Sequence, residues 1–225
     1  MANKKCIVLL SGGLDSATAL YYANNLGYEC FCLIFDYAQR HKKEIRSAVR
    51  VAKRVECGYK VIKLDLTHKG SALLDKKLKL PEHHNADMEK AIPSTYVPAR
   101  NTVFLSIALC YAEIFKAQAI FIGANVVDYS GYPDCRPEFF DAFKKVAVLG
   151  TKSGATGKKI RIIAPLIDLN KAEIIKLGWK LKVPYGLTWS CYKGGNTPCG
   201  ECDSCFYRRK GFKEAGLIDP LMVKN

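Results

Sequence analysis

The sequence has no apolar run long enough to cross a membrane, since a membrane-spanning helix needs roughly 20 consecutive apolar residues and every run here is far shorter. The basic start, Met1–Lys5, is followed by an apolar segment, Cys6–Leu10, that is too short for the core of a secretory signal peptide. These absences predict a cytoplasmic protein with no membrane partner.

Two common nucleotide-binding motifs are also missing. The Walker pattern Gly-x-x-x-x-Gly-Lys-Ser/Thr does not occur, and the stretch nearest to it, Gly154–Lys158, has the wrong spacing and no hydroxyl residue after its lysine. The dinucleotide pattern Gly-x-Gly-x-x-Gly is absent as well. A phosphate site in this chain therefore has to come from another motif.

What is present fits one large α/β domain. The chain has 225 residues, 49% of them hydrophobic, which is enough for a proper core and argues against disorder. Lys and Arg number 35 against 21 Asp and Glu, and the net charge of +14 favours anionic partners such as ATP, pyrophosphate or RNA. Charge alone does not choose among these partners.

The stretch Ser11–Ser16, Ser-Gly-Gly-Leu-Asp-Ser, supplies the missing phosphate motif. A strand-like apolar run precedes it and a helical segment follows, so it lies at a strand-to-helix turn. Glycines let the backbone approach a ligand closely, and the amides of the turn and of the helix N-terminus attract an anion. Ser11 and Ser16 add hydroxyl donors, and Asp15 is predicted either to cap the helix or to hold Mg²⁺.

This motif resembles the pyrophosphate loop of the N-type ATP pyrophosphatases, which cleave ATP between its α and β phosphates. The resemblance implies an adenine nucleotide alpha hydrolase-like fold and transfer of AMP to a substrate oxygen, with pyrophosphate leaving. It implies catalytic roles for Asp15, Ser16 and, at the start of a later helix, Arg100. The implied ATP-binding residues are Leu10, Ser11, Gly12, Gly13, Leu14, Asp15, Ser16, Ala17, Thr18, Ala19 and Leu20.

The order of segments predicts a doubly wound parallel sheet of five strands with helices on both faces. In such sheets ligands bind beyond the carboxyl ends of the strands, where the Ser11–Ser16 turn lies. The predicted strands are Lys5–Leu10, Glu29–Phe35, Tyr59–Asp65, Ala119–Ile122 and Ile160–Pro165. Four of the predicted helices are Ser16–Leu26, Lys42–Val55, Thr102–Lys116, with Asn101 as its N-cap, and Pro137–Leu149. A further helix is predicted to begin with a capping box at Asn170 and to end at about Leu181.

Three connecting segments carry further candidates. Thr67–Val97 is predicted to be a long surface loop or lid, and Thr151–Lys159 a flexible basic loop. The third, 123–136, follows a strand and is rich in aromatic and charged residues. Its candidate substrate-binding residues are Tyr129 and Tyr132, which could stack on a flat ring, Asp128 or Asp134, which could accept hydrogen bonds from an amino-pyrimidine edge, and Arg136, which could pair with a substrate carboxylate.

Four of the ten cysteines lie close together near the C-terminus, among turn-forming glycines and a proline. Four thiolates can form a closed tetrahedral zinc site, which is structural because no coordination position stays open. An iron–sulfur cluster uses similar ligands and remains an alternative. The candidate ligands are Cys191, Cys199, Cys202 and Cys205.

Together these stretches resemble the 7-cyano-7-deazaguanine synthase family, the nitrile-forming ligases of queuosine precursor synthesis. The resemblance spans nearly the whole chain, and Asp128–Arg136 and the cysteine cluster are its most specific parts. Ala38 stands where the family often has glycine and Ala17 where threonine is common, and neither replaces a group with a chemical role. The other stretches that carry the resemblance are Ser11–Ser16, Tyr37–His41, Val97–Asn101 and Leu187–Tyr192.

The resemblance implies an ATP-dependent carbon–nitrogen ligase that converts 7-carboxy-7-deazaguanine and free ammonia into 7-cyano-7-deazaguanine, with Mg²⁺ and with AMP as a product. Two adenylations at one site are expected, first of the acid and then of the amide, because each oxygen must become part of a good leaving group. The resemblance also implies an ATP pyrophosphatase domain at 1–185, a zinc module at 186–225, a homodimer and no stable nucleic-acid partner.

Two other functions stay open at this point. A tRNA-modifying ATP pyrophosphatase, such as a thiolase, would adenylate a base oxygen by the same first step, and the charge of +14 fits it. A non-catalytic zinc module that binds nucleic acid would release no pyrophosphate with any small acid.

Overall fold

The computed structural model describes residues 4–66, 70–75, 77–81, 92–127 and 131–222. Within them lies a five-stranded sheet in the order β3-β2-β1-β4-β5, and every neighbouring pair of strands is parallel. The fold class predicted from the sequence is confirmed. The strands are β1 (Lys4–Leu9), β2 (Tyr28–Asp36), β3 (Gly58–Lys63), β4 (Ala119–Ile122) and β5 (Arg161–Ile163).

Helices cover both faces of the sheet. They are α1 (Leu14–Asn25), α2 (Lys43–Arg54), α3 (Arg100–Phe115), α4 (Pro137–Leu149), α5 (Lys152–Ala155), α6 (Lys171–Lys180) and α7 (Asp203–Ala215). One hydrophobic core joins the sheet to α1, α2, α6 and α7, and a second core joins it to α3 and α4. Short 3-10 helices occupy Pro133–Cys135 and Tyr185–Leu187.

The position of strand β1 in the middle of the sheet explains why its sequence is almost continuously apolar. Cys6 and Val8 pack into the core on one face of the sheet, and Ile7 and Leu9 pack into the core on the other. All four residues are buried. A central parallel strand with both faces covered has no solvent side, so it lacks the polar alternation of a half-exposed strand.

One helix begins as the sequence analysis predicted, and another does not. Asn170 and Glu173 form the predicted capping box at the start of α6, with both reciprocal hydrogen bonds at 2.9 Å. Asn101, in contrast, is not the N-cap of α3. The helix begins at Arg100 after Ala99, which adopts a left-handed conformation with φ of +50° and has no side chain able to cap.

The connecting segments also differ from expectation. The predicted loop Thr151–Lys159 contains the single turn of α5, which the Thr151 hydroxyl caps by accepting from the Gly154 N–H at 3.0 Å. Much of Thr67–Val97 lies outside the described residues, so its prediction as a lid remains a prediction. No helix in the described part of the chain is long and apolar enough to span a membrane.

Candidate active site and metal centre

A cavity of about 260 Å³ lies at the carboxyl ends of β1, β2 and β4. This is the position expected for a ligand site in a doubly wound sheet. The predicted phosphate loop lies on one side of the cavity, the start of α3 on another, and residues just before and within α7 close a third side. Both polar and apolar side chains line it, so it can hold a flat ring beside charged groups.

The loop Ser11–Ser16 is held in shape by its own two serines. Ser16 Oγ accepts hydrogen bonds from the Ser11 N–H at 3.2 Å and donates to the Gly13 carbonyl at 3.1 Å. The two hydroxyl oxygens lie 3.0 Å apart, and Ser11 Oγ also accepts from the Gly13 N–H at 3.3 Å. The serines therefore fix the turn before any ligand binds.

The two glycines of the loop do different work. Gly12 has φ of +89°, and a Cβ there would lie 2.1 Å from the Glu44 carbonyl oxygen and 2.6 Å from the Ala48 nitrogen. Gly12 therefore lets the loop pack directly on α2. At Gly13 the nearest atom to a Cβ is Ser11 Oγ, 3.5 Å away, so ordinary space remains on the cavity side.

These contacts predict unequal effects of alanine at the two positions. Gly12→Ala forces a backbone clash and a left-handed alanine, and we expect it to cost about 3 kcal/mol of folding free energy. The matched variant Gly13→Ala should cost about 1 kcal/mol or less, because its φ of −77° suits any residue and nothing is close. Thermal unfolding of both variants measures the difference, and equal losses would contradict the packing role of Gly12.

Asp15 is paired with a lysine that lies 156 residues away in sequence. Lys171 Nζ donates to both carboxylate oxygens, at 2.8 and 2.9 Å, and the lysine side chain is only 7% exposed. Asp15 does not cap α1, whose N-cap is Gly13. The carboxylate lies in the first turn of the helix and on the cavity, where it fixes the position of a cationic group.

Arg100 and Tyr37 form the opposite side of the cavity. Arg100 Nη1 donates to the Tyr37 hydroxyl oxygen at 3.2 Å. Burial raises the pKa of Tyr37 to about 12, although Arg100 favours its ionised form. Burial also raises the pKa of the Glu44 carboxyl to about 7, against the stabilising hydrogen bond from Gln39 and the charge of Arg100. Arg100, which the sequence analysis named as a candidate site residue, therefore lines the cavity.

The segment 123–136 reaches the cavity mostly through other residues than those predicted, namely Gly123, Ala124, Asn125, Tyr132 and Cys135. Tyr132 is buried, lines the cavity, and its hydroxyl is hydrogen-bonded to Thr95. Arg136 is exposed at the N-cap of α4 and does not line the cavity, so its predicted contact with a carboxylate is not supported. Asp128 and Tyr129 lie outside the described residues.

Asp134 has a structural partner instead of a ligand-facing position. Its carboxylate accepts from the Asn101 N–H at 2.9 Å, and its carbonyl accepts from the Asn101 side-chain amide at 2.9 Å. A carboxylate at the first turn of a helix satisfies an orphan N–H and favours the helix dipole. Asp134 thus replaces the capping side chain that Ala99 lacks.

The later part of the predicted ATP-binding stretch is core. Ala17, Ala19 and Leu20 are fully buried and belong to the core beneath α1. Thr18 is also fully buried, and its hydroxyl lies 2.9 Å from the Tyr185 hydroxyl. These four residues do not line the cavity, whereas Leu10, Ser11, Gly13, Leu14, Asp15 and Ser16 do.

The four late cysteines come together as one cluster. The sulfur atoms of Cys191, Cys199, Cys202 and Cys205 all lie within 4.8 Å of one another. Cys199 Sγ and Cys205 Sγ are 3.9 Å apart, and a tetrahedral site with Zn–S bonds of about 2.3 Å places its sulfurs about 3.8 Å apart. Backbone N–H groups of Cys199 and Cys202 donate to cluster sulfurs at 3.4 Å. The donor set fits a metal that prefers thiolates.

The cluster is tied to the phosphate loop through Trp189. Its backbone N–H donates to the Gly12 carbonyl at 2.9 Å, and its indole N–H donates to the Cys191 carbonyl at 3.0 Å. Trp189, Ser190 and Tyr192 all line the cavity. A metal at the cysteines would therefore support one side of the cavity without touching a ligand in it.

Arg208 in α7 holds this side together. It is 5% exposed and donates to both carboxylate oxygens of Asp219, at 2.6 and 2.8 Å. It also donates to Thr188 Oγ1 at 2.8 Å and to the Tyr185 carbonyl at 3.0 Å. Although Arg208 lines the cavity, these contacts make it a structural cation.

Lys171 and Glu44 are among the ionisable cavity residues that sequence reasoning missed. Lys171 follows a capping asparagine and looks like any exposed helix lysine. Glu44 stands alone among basic residues at the start of α2, which is a weak signal of a special role. Both are brought to the site by helix packing over long sequence separations, which local patterns do not record.

Comparison with known proteins agrees with the geometry. A family model described as Queuosine biosynthesis protein QueC matches residues 5–216. A protein of Thermoplasma volcanium named 7-cyano-7-deazaguanine synthase is 54% identical over 218 residues, covering 97% of this chain and 90% of that one. A protein of the same name from Saccharophagus degradans is 54% identical over 229 residues, covering 100% of both chains.

A solved structure shares the fold at much lower identity. It is a 4-thiouridine synthetase in complex with RNA and with bound ATP, and it matches with a TM-score of 0.53 at 18% identity. The match covers 93% of this chain and 53% of that one. At this identity the likeness concerns the arrangement of strands and helices alone.

Proposed function

This chain belongs to the QueC family of queuosine biosynthesis proteins, and we propose that it converts 7-carboxy-7-deazaguanine and ammonia into 7-cyano-7-deazaguanine using ATP. One observation supports this most directly. The cavity has the Ser11–Ser16 loop on one side and the cations Lys171 and Arg100 on others, which suits a triphosphate and a carboxylate in the same place.

The first step in this proposal activates the acid. A carboxylate is a poor electrophile, so one of its oxygens attacks the α-phosphorus of ATP and pyrophosphate leaves, giving an acyl adenylate. The fixed N–H groups of the loop and the N-terminus of α1 face the departing phosphates. Lys171 and Arg100 supply positive charge to the transition state without needing to reorganise, because Asp15 and Tyr37 hold them.

The second half of the reaction repeats the same chemistry. Ammonia attacks the activated carbon, AMP leaves with the bonding electrons, and an amide remains. The amide oxygen is then adenylated by a second ATP, and loss of AMP together with both N–H protons gives the nitrile. Each removed oxygen departs on one AMP, so a single cavity serves both rounds.

We propose that Asp15, Ser16 and Arg100 carry catalysis, with Ser16 keeping the loop in shape. Mg²⁺ is usually bound through one or two carboxylates plus substrate phosphates, so Asp15 on the cavity fits such an ion. When bound, the ion would neutralise phosphate charge. Tyr132 remains the proposed ring contact, together with Asp128 and Tyr129.

The four cysteines are proposed to hold a structural zinc ion. The ion would cross-link the segment 191–205. It would take no part in the reaction in the cavity, because four thiolates leave no open coordination position. The division into residues 1–185 and 186–225 and the homodimer also remain proposals. The small separate core of Trp189 with the cysteines supports the first of these.

The proposal makes a stoichiometric prediction. Enzyme given the acid, ammonia and ATP should release two AMP per nitrile, and enzyme given the corresponding amide should form the nitrile with one AMP. Mass spectrometry of the deazaguanine product and chromatography of the nucleotides measure both ratios. Turnover of the acid without ATP use on the amide would contradict two adenylations at one site.

The net charge of +14 also favours a second candidate, a tRNA-modifying ATP pyrophosphatase. That function requires stoichiometric tRNA binding with a steep loss of affinity as salt rises. AMP release that depends on tRNA and not on 7-carboxy-7-deazaguanine would favour it over the nitrile synthase.

A further inference from the structure

Glu44 is a cavity carboxylate to which the proposed mechanism gives no role. It lies in the first turn of α2, half-buried, and it lines the cavity. Its own carbonyl oxygen touches the loop at Gly12, where a Cβ would lie 2.1 Å away. The start of α2 is therefore packed directly on the turn that faces the phosphates.

The groups around Glu44 define its orientation. Gln39 Oε1 accepts from the Tyr37 N–H at 2.9 Å, which leaves the Gln39 amide nitrogen to donate to the Glu44 carboxylate and to the Phe35 carbonyl. The charged or titratable groups that act on the carboxylate from other elements are Arg100 at the start of α3 and Tyr37 after β2. A single amide donor leaves acceptor capacity on the carboxylate for a ligand.

Among the cavity-lining residues of the described ranges, the carboxylates are Asp15 and Glu44. Both oxygens of Asp15 accept from Lys171. With both oxygens held by the Lys171 ammonium group, the Asp15 carboxylate is poorly placed to contact a further donor. Glu44 has no lysine partner in the described contacts and is the carboxylate suited to proton transfer.

We propose that the Glu44 carboxylate accepts one proton from nitrogen in each half of the reaction, first from ammonium and then from the adenylated amide. This inference rests on the proposed function. In the first half, ammonium gives a proton to Glu44, the freed lone pair forms the C–N bond, and the C–O bond to AMP breaks. A second proton passes from the new amide nitrogen to water.

In the second half, the nitrogen of the adenylated amide loses two protons. The first passes to water and leaves a C=N double bond, and Glu44 takes the second as the C–O bond to AMP breaks and the third C–N bond forms. Glu44 returns each proton to water between steps, and no oxidant or reductant is needed. Burial raises the pKa of Glu44 to about 7, so both its protonation states are populated near neutral pH. That is the range in which a general base works best.

The test separates amines that need a base from amines that do not. Glu44→Gln keeps the size and the amide contact but cannot accept a proton. With ammonia, which is mostly ammonium at neutral pH, we expect amide formation to fall about 10²–10⁴-fold. With hydroxylamine, which is mostly uncharged at neutral pH, hydroxamate formation should change little. The matched control is Glu29→Gln, which alters an exposed carboxylate on β2 and should leave both reactions unchanged.

The pH profile provides a second readout. The wild-type rate with ammonia should rise as pH passes through about 7, and this limb should disappear in Glu44→Gln. Since the folded pKa of Glu44 is raised above its ordinary value of about 4.3, the protonated side chain stabilises the fold at low pH, and this stability is lost as pH rises from about 4.3 to about 7. Glu44→Gln should therefore melt no lower than wild type at pH 8, which checks that the variant folds.

Three outcomes decide the matter. Loss of ammonia reactivity with hydroxylamine reactivity kept supports Glu44 as proton acceptor. Equal losses with both amines, or full activity with both, would overturn it. ATP–pyrophosphate exchange with the acid alone tests the proposed function separately, since adenylation precedes nitrogen chemistry; no exchange in the wild-type enzyme would contradict that function and this inference with it.

Discussion

Replacing Cys202 by serine should leave the purified chain without zinc and with α7 unfolded. Cys202 is fully buried, forms the N-cap of α7, and belongs to the four-sulfur cluster. Zinc binding contributes about 10–16 kcal/mol to isolated zinc fingers, so losing a ligand removes far more than one buried contact. Wild-type protein should contain about one zinc per chain, which elemental analysis measures directly.

A matched control separates the metal from the loss of a thiol. Cys110 is exposed on α3 and is not a member of the cluster, so Cys110→Ser should keep the metal and the melting temperature. Circular dichroism of Cys202→Ser should show lost helix, and ATP affinity should fall as well, because Trp189 joins the cluster to Gly12. Iron with sulfide, or no metal, in the wild-type protein would rule out the zinc site.

Substituting both Asp15 and Lys171 should restore the folding free energy that either single substitution loses, but it should not restore catalysis. The pair is largely buried, with side-chain exposures of 21% for Asp15 and 7% for Lys171. Either Asp15→Asn or Lys171→Met alone leaves one charge without its partner, and we expect each to cost about 2–3 kcal/mol. The double variant should recover most of that loss, because neither charge then remains.

Catalysis should behave differently in these three variants. Each of them lacks the oriented cation or the carboxylate of the cavity, so kcat/KM should fall about 10²–10³-fold in all. The double variant Asp141→Asn, Lys144→Met removes an exposed Lys–Asp pair on α4, and it should change neither stability nor kcat/KM. Recovery of turnover together with stability in the Asp15–Lys171 double variant would mean that the pair is only structural.

Local patterns in the sequence were sufficient for the strands, the capping box and the clustering of the four late cysteines. A central parallel strand has to be apolar on both faces, and cysteines at spacings of three residues have to lie near each other. The turn Ser11–Ser16 was found for the same reason, because its hydrogen bonds join residues no more than five positions apart.

The remaining parts of the site depend on contacts between distant segments. Lys171 reaches Asp15 only because α6 packs beside α1, and nothing in the residues next to Lys171 indicates that direction. Asp134 was predicted to meet a substrate, but the residue that precedes α3 is Ala99, so the carboxylate of Asp134 completes that helix instead. Polar residues in a loop at the correct edge of the sheet can face either a ligand or an unsatisfied helix end.

The hydrogen bond from Trp189 to Gly12 joins residues 177 positions apart, and this has a consequence for synthesis on the ribosome. The last strand, β5, ends at Ile163, so a nascent chain carries the whole sheet before Trp189 emerges. Domains begin to fold from the N-terminal side during synthesis. We therefore expect the Ser11–Ser16 loop to form early with one side uncovered, and the cavity to be completed once the segment with the cysteines has folded back onto the loop.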